Sequence, residues 1–170
     1  LTVSKRNENH LTVSKRNENH LTVVISPLLS LIHDQMLSLL SKGICALAYH
    51  GNMSYKEKQM TKNIILNGMN IRGNKKYIKI LFTTPESLIG QLSNILNDLK
   101  HTLVIDEAHC ISSWGGDFRP DYQKIRSEYV NVVALTGSAD QRVENDIFSV
   151  LFESGHSNMN FHSKYDLKYS

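Results

Sequence analysis

Short runs of apolar, often β-branched residues alternate along this chain with stretches of helical spacing, and that alternation restricts it to few folds. Residues 22–26, 46–49, 78–83, 102–105 and 131–135 read as buried strands. Between them, Leu28, Leu31, Ile32, Gln35, Met36, Leu39 and Leu40 repeat at helical spacing, and Gly43 is placed to end that helix. Ser54, with Glu57 three residues on, predicts a capped helix to about Asn67. Residues 69–76 (MNIRGNKK) read as a polar, basic loop. Pro85 is expected to break the pattern, with a helix over 87–99. A last helix is predicted over 140–151, with Val143, Ile147, Val150 and Leu151 on one face. The βαβα order predicts an α/β fold with a mainly parallel β-sheet flanked by helices. In such sheets ligands gather at the carboxyl ends of strands. Small hydroxyl or acidic groups fall at four of those ends: Ser26-Pro27, Thr83-Thr84-Pro85-Glu86, Asp106-Glu107 and Thr136-Gly137-Ser138. They are expected to form one functional rim.

The 170 residues suit one domain with a hydrophobic core. No apolar run approaches the roughly 20 residues that span a bilayer, and residues 1–10 hold no signal-like apolar stretch. An intracellular protein with no membrane partner is expected. Cys45 and Cys110 lie far apart with no C-x-x-C spacing, so two reduced thiols are predicted rather than a disulfide or zinc site. Residues 1–10 and 11–20 are identical decapeptides, and LTV recurs at 21–23. Two copies of a ten-residue unit are too few and too short for a solenoid. Residues 1–20 are therefore expected to be a loosely held, duplicated extension of a domain covering 21–170. The two copies carry +2 of the +3 formal charge, so net charge says little about nucleic acid.

The chemistry is concentrated in Asp106–Tyr122, DEAHCISSWGGDFRPDY. Asp106 follows a buried strand, where a carboxylate can hold magnesium, usually through water, beside nucleotide phosphates. Glu107 is placed to polarise an attacking water, and His109 to relay changes to neighbouring loops. The competing reading is an acidic pair in a solvated loop. Trp114, the only tryptophan, sits in a segment with two glycines and a proline. Alone, it suits a core place as well as a surface one. With Phe118 and Arg119 close by, an exposed surface for stacking bases is favoured. Thr136 and Ser138 either bond between a nucleotide site and a neighbouring domain or simply cap a Gly turn.

These segments resemble the RecQ family of DNA helicases, in helicase superfamily 2. TVVISPLLSLIHDQ (22–35) resembles motif Ia, TTPESL (83–88) motif Ib, and ALTGSA (134–139) motif III. DEAHCISSWGGDFRPDY resembles motif II fused to the family's aromatic-rich loop, and FHSKYDLKYS (161–170) resembles the exit from the first RecA-like domain. The resemblance implies a P-loop NTPase-type, RecA-like fold and an ATP-dependent helicase moving 3′ to 5′ on DNA. It implies ATP and magnesium as cofactors, with Asp106 on the metal and Glu107 on the water. His109 and the loop with Trp114, Phe118 and Arg119 would couple DNA contact to hydrolysis. Ser26, Pro27, Thr84 and Pro85 would lie along single-stranded DNA, and Thr136 and Ser138 would link ATP state to domain movement. The implied partners are single-stranded DNA and duplex junctions, and in a eukaryote the implied compartment is the nucleus.

The chain also departs from the family pattern. No G-x-x-x-x-G-K-[ST] phosphate loop occurs in it, and the decapeptide repeat stands where that loop would precede motif Ia. The adenine-reading glutamine segment, the second RecA-like domain with its arginines, and the zinc-binding and winged-helix regions are not in these residues. Gly116 stands where His is usual, and Gly137-Ser138 where Ala-Thr is usual. This partial first domain is therefore expected to be inactive as an ATPase by itself. The alternative is a non-catalytic remnant that only binds nucleic acid. An RNA helicase of the DEAH type is disfavoured by the fused aromatic loop.

Overall fold

Alternate burial along a strand shows which faces it covers, and β-branched runs here are covered on both. The computed structural model describes residues 2–5, 20–125, 131–152 and 159–162. Contacts divide the chain into two units, Asn17–His101 and Leu1–Arg16 with Thr102–Ser170. The first strand, β1 (Thr2–Lys5), belongs to the second of these.

The Asn17–His101 unit is built on β2 (Leu21–Ile25), β3 (Ala46–Tyr49) and β6 (Ile80–Thr83). β6 lies between the other two and is parallel to both, with Ile25 opposite Thr83 and Tyr49 opposite Thr83. Leu21, Val23 and Ile25 are buried, while Thr22 and Val24 are partly covered, as in a strand enclosed on two faces. Helix α1 (Leu29–Ser41) packs on this sheet through Ile32, which meets Ala46, Ala48 and Phe82. Enclosing a side chain of that size contributes about 1.5–3 kcal/mol. Gly43 stops α1 at φ +76, a left-handed conformation that costs glycine little.

Helix α2 (Tyr55–Asn67) starts on the expected capping box. The Ser54 hydroxyl accepts the Glu57 N–H at 3.3 Å, and the Glu57 carboxylate accepts the Ser54 N–H at 2.7 Å. The Ser54 hydroxyl and backbone hold that carboxyl below its usual range.

Two local expectations are corrected here. Residues 69–76 form a hairpin, β4 (Met69–Ile71) and β5 (Asn74–Lys76), paired antiparallel, rather than a loop. Its two-residue turn, Arg72-Gly73, places both residues at positive φ, as primed hairpin turns require. The turn signal was weak because Arg stands where Asn or Asp is usual. Pro85 does follow the end of the strand, and the helix begins not at Ser87 but at Pro85 itself. It occupies the first turn of α3 (Pro85–Ser87), where a missing N–H costs nothing. A π-helical turn (Leu88–Leu92) and α4 (Ser93–Leu96) follow, so the helical run ends three residues before Leu99.

The second unit holds β7 (His101–Ile105), with its first residue at the boundary, and β8 (Val132–Leu135), a parallel pair. β1 pairs antiparallel with β8 on one side and with β9 (Met159–His162) on the other. Thr2–Lys5 of the first decapeptide thus lies in a strand, and residues 6–19 fall outside the described residues. So do residues 163–170, which carry most of the FHSKYDLKYS segment. A 3-10 turn (Ala108–Ile111), α5 (Pro120–Gln123) and α6 (Gln141–Phe152) complete the unit. Val143, Ile147 and Leu151 are buried on one face of α6, as their spacing predicts, and α6 packs against the 3-10 turn. Asp140 caps α6 by accepting the N–H of Val143 at 3.0 Å and of Arg142 at 2.9 Å, which holds its carboxyl below the usual range. The chain is α/β, with mainly parallel strand pairs and flanking helices, as expected. Among the described residues no helix is long and apolar enough to cross a membrane.

Candidate nucleotide and nucleic-acid site

The carboxylates sit where β7 ends. Asp106 is half-buried, and its Oδ1 accepts the Glu107 N–H at 3.0 Å. Glu107 itself adopts φ 52, ψ 47, a left-handed conformation that is unfavourable for a residue with a Cβ. That turn reverses the chain directly after the strand and leads into the 3-10 turn carrying His109. Tyr122, fully buried, donates its hydroxyl to the Asp106 carbonyl at 3.3 Å and supports the turn from the protein side.

His109 joins two strand ends. Its Nδ1 lies 3.2 Å from Glu107 Oε2 and 3.1 Å from Thr136 Oγ1. Thr136 donates its hydroxyl to the Ser138 carbonyl at 3.1 Å, so the oxygen that faces His109 acts as an acceptor. The network therefore assigns the proton to His109 Nδ1, shared between Glu107 and Thr136. Residues 27 positions apart in sequence, which follow the ends of β7 and β8, are brought into one polar chain: Glu107, His109, Thr136, Ser138.

The aromatic loop is fastened to the same turn. Ser112 N–H donates to His109 O at 3.1 Å, Gly115 N–H to Ser112 O at 3.1 Å, and Arg119 N–H to Cys110 O at 2.9 Å. Gly115 is required by space. A Cβ there would lie 2.6 Å from His109 O, inside contact distance of a backbone atom. The Ser112 hydroxyl donates to Asp146 on α6 at 2.5 Å and accepts the Trp114 N–H at 3.1 Å. Trp114 is 66% exposed, which settles its place in favour of the surface. The Arg142 guanidinium of α6 stands 5.4 Å from the indole centroid, a cation–π distance. Phe118 is exposed as well, and Arg119 is partly covered. Gly115, Tyr122, Arg142 and Asp146 were missed by sequence reasoning. Only Gly115 and Tyr122 lie inside the motif, and nothing in the sequence points to α6 as the loop's support.

Both cysteines are free thiols, and burial pushes Cys110 up from its ordinary value. Among the described residues no group of three or more His, Cys, Asp or Glu could hold a metal ion. A magnesium ion bound through one carboxylate, waters and phosphates needs no such group, and the accessible carboxylate of Asp106 fits that demand. Donors for the β- and γ-phosphates of a nucleotide are another matter. The phosphate-loop pattern is not found within these 170 residues.

The remaining expected residues lie in the other unit. The Ser26 N–H donates to Thr83 O at 3.1 Å, and the Ser26 side chain is fully buried, with no hydrogen-bond partner for its hydroxyl among the described residues. Pro27 is partly exposed. Thr84 precedes α3 with its hydroxyl 3.2 Å from that of Ser87, and Pro85 is buried. Thr83 donates its hydroxyl to Tyr49 O at 2.8 Å, tying β6 to β3.

A carboxylate pair thus stands at a parallel strand end, wired to a threonine at the next strand end, with an exposed aromatic loop fastened to the same turn. Residues 6–146 match the family described as DEAD/DEAH box helicase. The chain belongs to that family. Its relatives narrow this to RecQ-type helicases. It is 35% identical over 132 residues to the ATP-dependent DNA helicase RecQ of Pasteurella multocida, covering 74% of this chain and 20% of the relative. It is 40% identical over 142 residues to the ATP-dependent DNA helicase Q-like 4B of Arabidopsis thaliana, covering 76% and 12%. It is 34% identical over 140 residues to the ATP-dependent DNA helicase Q5 of Rattus norvegicus, covering 76% and 14%. The chain thus spans a fifth or less of the length of these relatives.

Proposed function

We propose that this chain is the coupling part of a RecQ-like, ATP-dependent 3′–5′ DNA helicase. Residues 21–170 would form a portion of the first RecA-like domain, with residues 1–20 an appended duplication. The observation that carries the reading is the hydrogen-bonded chain Glu107–His109–Thr136 beneath the exposed Trp114 loop. Asp106 would hold magnesium, and the ion would neutralise charge on nucleotide phosphates. Glu107 accepts a proton from the attacking water, and His109 Nδ1–H holds the Glu107 carboxylate in position. Thr136 and Ser138 report the state of that carboxylate to a neighbouring RecA-like domain. Trp114 and Phe118 stack on bases and Arg119 contacts the strand. Pro27 and Thr84, both partly exposed, line a track for single-stranded DNA, while Ser26 and Pro85 are buried and support those strand ends from inside. Single strands and duplex junctions are the substrates, inside the cell, and in the nucleus of a eukaryote.

The G-x-x-x-x-G-K-[ST] pattern, which supplies a backbone cradle and a lysine for the β- and γ-phosphates, does not occur in these 170 residues, so by themselves they do not turn over ATP. That same feature favours a second reading, a non-catalytic remnant that only binds nucleic acid. Purified chain with ATP, magnesium and single-stranded DNA is expected to release phosphate no faster than buffer. DNA-stimulated release that disappears in Glu107→Gln would refute the inactivity and remove the second reading.

A further inference from the structure

We propose that the β4–β5 hairpin is a second nucleic-acid contact, one that grips the two backbones lining a duplex groove. Between Lys58 and Pro85 the chain carries six of its nineteen Lys and Arg residues and none of its sixteen Asp and Glu residues. Outside that stretch, acidic residues outnumber basic ones. The modest net charge therefore conceals one cationic segment, and the hairpin projects its most exposed part.

Residues 70–76 are all exposed, including Ile71, Arg72, Lys75 and Lys76. The hairpin is nonetheless ordered. The Asn70 side chain accepts the Gly73 N–H at 3.1 Å across the turn, and the register pairs Asn70 with Lys75 and Met69 with Lys76. Lys75 lies over the Tyr77 ring, 5.1 Å from its centroid, which holds the ammonium on one face of the ribbon. Lys76, the next residue in the strand, points to the other face. Arg72 stands at the tip, in the turn. Cations on both faces and at the tip suit a ligand with phosphates on two sides rather than a flat surface. A two-stranded ribbon fits a major groove about 12 Å wide, whose walls are two phosphate backbones. The contact these cations make is to phosphate, and the salt dependence of binding reads it.

The proposal rests on the reading of this chain as a DNA-acting protein, but it uses residues that reading leaves aside. The test is binding of the full chain to a labelled blunt duplex of about 20 base pairs, across a salt series. The variant Arg72→Asn/Lys75→Gln/Lys76→Gln keeps a residue that tolerates positive φ in the turn. Each lost phosphate contact lowers the slope of log K against log salt by about 0.9, so the slope is expected to fall by about 2–3. Duplex affinity at about 50 mM salt should drop about tenfold or more. Two controls bracket the result. Lys75→Arg/Lys76→Arg should keep the parent slope, and Lys42→Gln/Lys56→Gln/Lys100→Gln, which removes equal charge elsewhere, should change it by less than about one. An unchanged slope in the hairpin variant, an equal loss in the second control, or no duplex binding by the parent chain would each overturn the proposal. Failure of the aromatic-loop reading shows separately, as unaltered single-strand binding in Trp114→Ala.

Discussion

Trp114→Ala is expected to weaken single-stranded DNA binding by about 1–3 kcal/mol, the usual contribution of one base–aromatic stack. The ring is placed for it. It is exposed, its backbone N–H is fixed by the Ser112 hydroxyl, and Ser112 is itself tied to Asp146 on α6. A loop held at both ends loses little further entropy on binding, so most of the stacking energy should survive as affinity. Arg142 beside the ring adds a positive charge where a phosphate or base edge would arrive. Fluorescence anisotropy of a labelled oligothymidylate measures the effect. Equal affinity in a folded Trp114→Ala chain would leave the indole as a structural or relay residue.

Gly115→Ala is expected to be the more damaging change to the fold of the site, at about 1–3 kcal/mol of stability. Its Cβ would sit 2.6 Å from the carbonyl oxygen of His109 and 3.3 Å from that of Ser112. Both are backbone atoms in a tight turn and have little room to move away. The relief open to the loop is to lift, which breaks the Gly115–Ser112 and Ser112–His109 hydrogen bonds. Urea unfolding at constant m-value reads the loss, and Gly116→Ala is the comparison. No atom lies within 4 Å of a Cβ at Gly116, so that substitution should cost far less. Equal midpoints for the two variants would show that the loop does not rest on the His109 turn.

The five strands that pair in parallel, β2, β3, β6, β7 and β8, were legible because each is a short apolar run closed by a polar residue, and enclosed strands leave that imprint; β1 and β9, which pair antiparallel, were not. The Ser54 cap and the α6 stripe were legible for the same reason: they are local patterns. What was lost was local structure set by unusual residues. Arg72 in a left-handed turn hid a hairpin, and the helix after β6 was placed two residues late because a proline reads equally as a break and as a first helical residue. At the site, Asp106, Glu107 and His109 stood out as a contiguous motif, and Thr136 as the next strand end. The support from α6 was invisible, since Ser112 and Asp146 are 34 positions apart and neither is distinctive alone. The burial of Ser26 was likewise beyond reach, because a hydroxyl at a strand end reads as exposed until the chain around it is placed.

The central claim is that DNA contact at the Trp114 loop reaches the carboxylate pair through the His109 turn. It is tested most directly by the imidazole proton resonances of His109, assigned by their loss in His109→Gln. Adding an oligothymidylate of about 15 nucleotides, within the reach of a single-strand binding track, is expected to shift those resonances in the parent chain and not in Trp114→Ala. Quenching of Trp114 fluorescence by the same oligonucleotide, with the His109 resonances unmoved, would contradict the account.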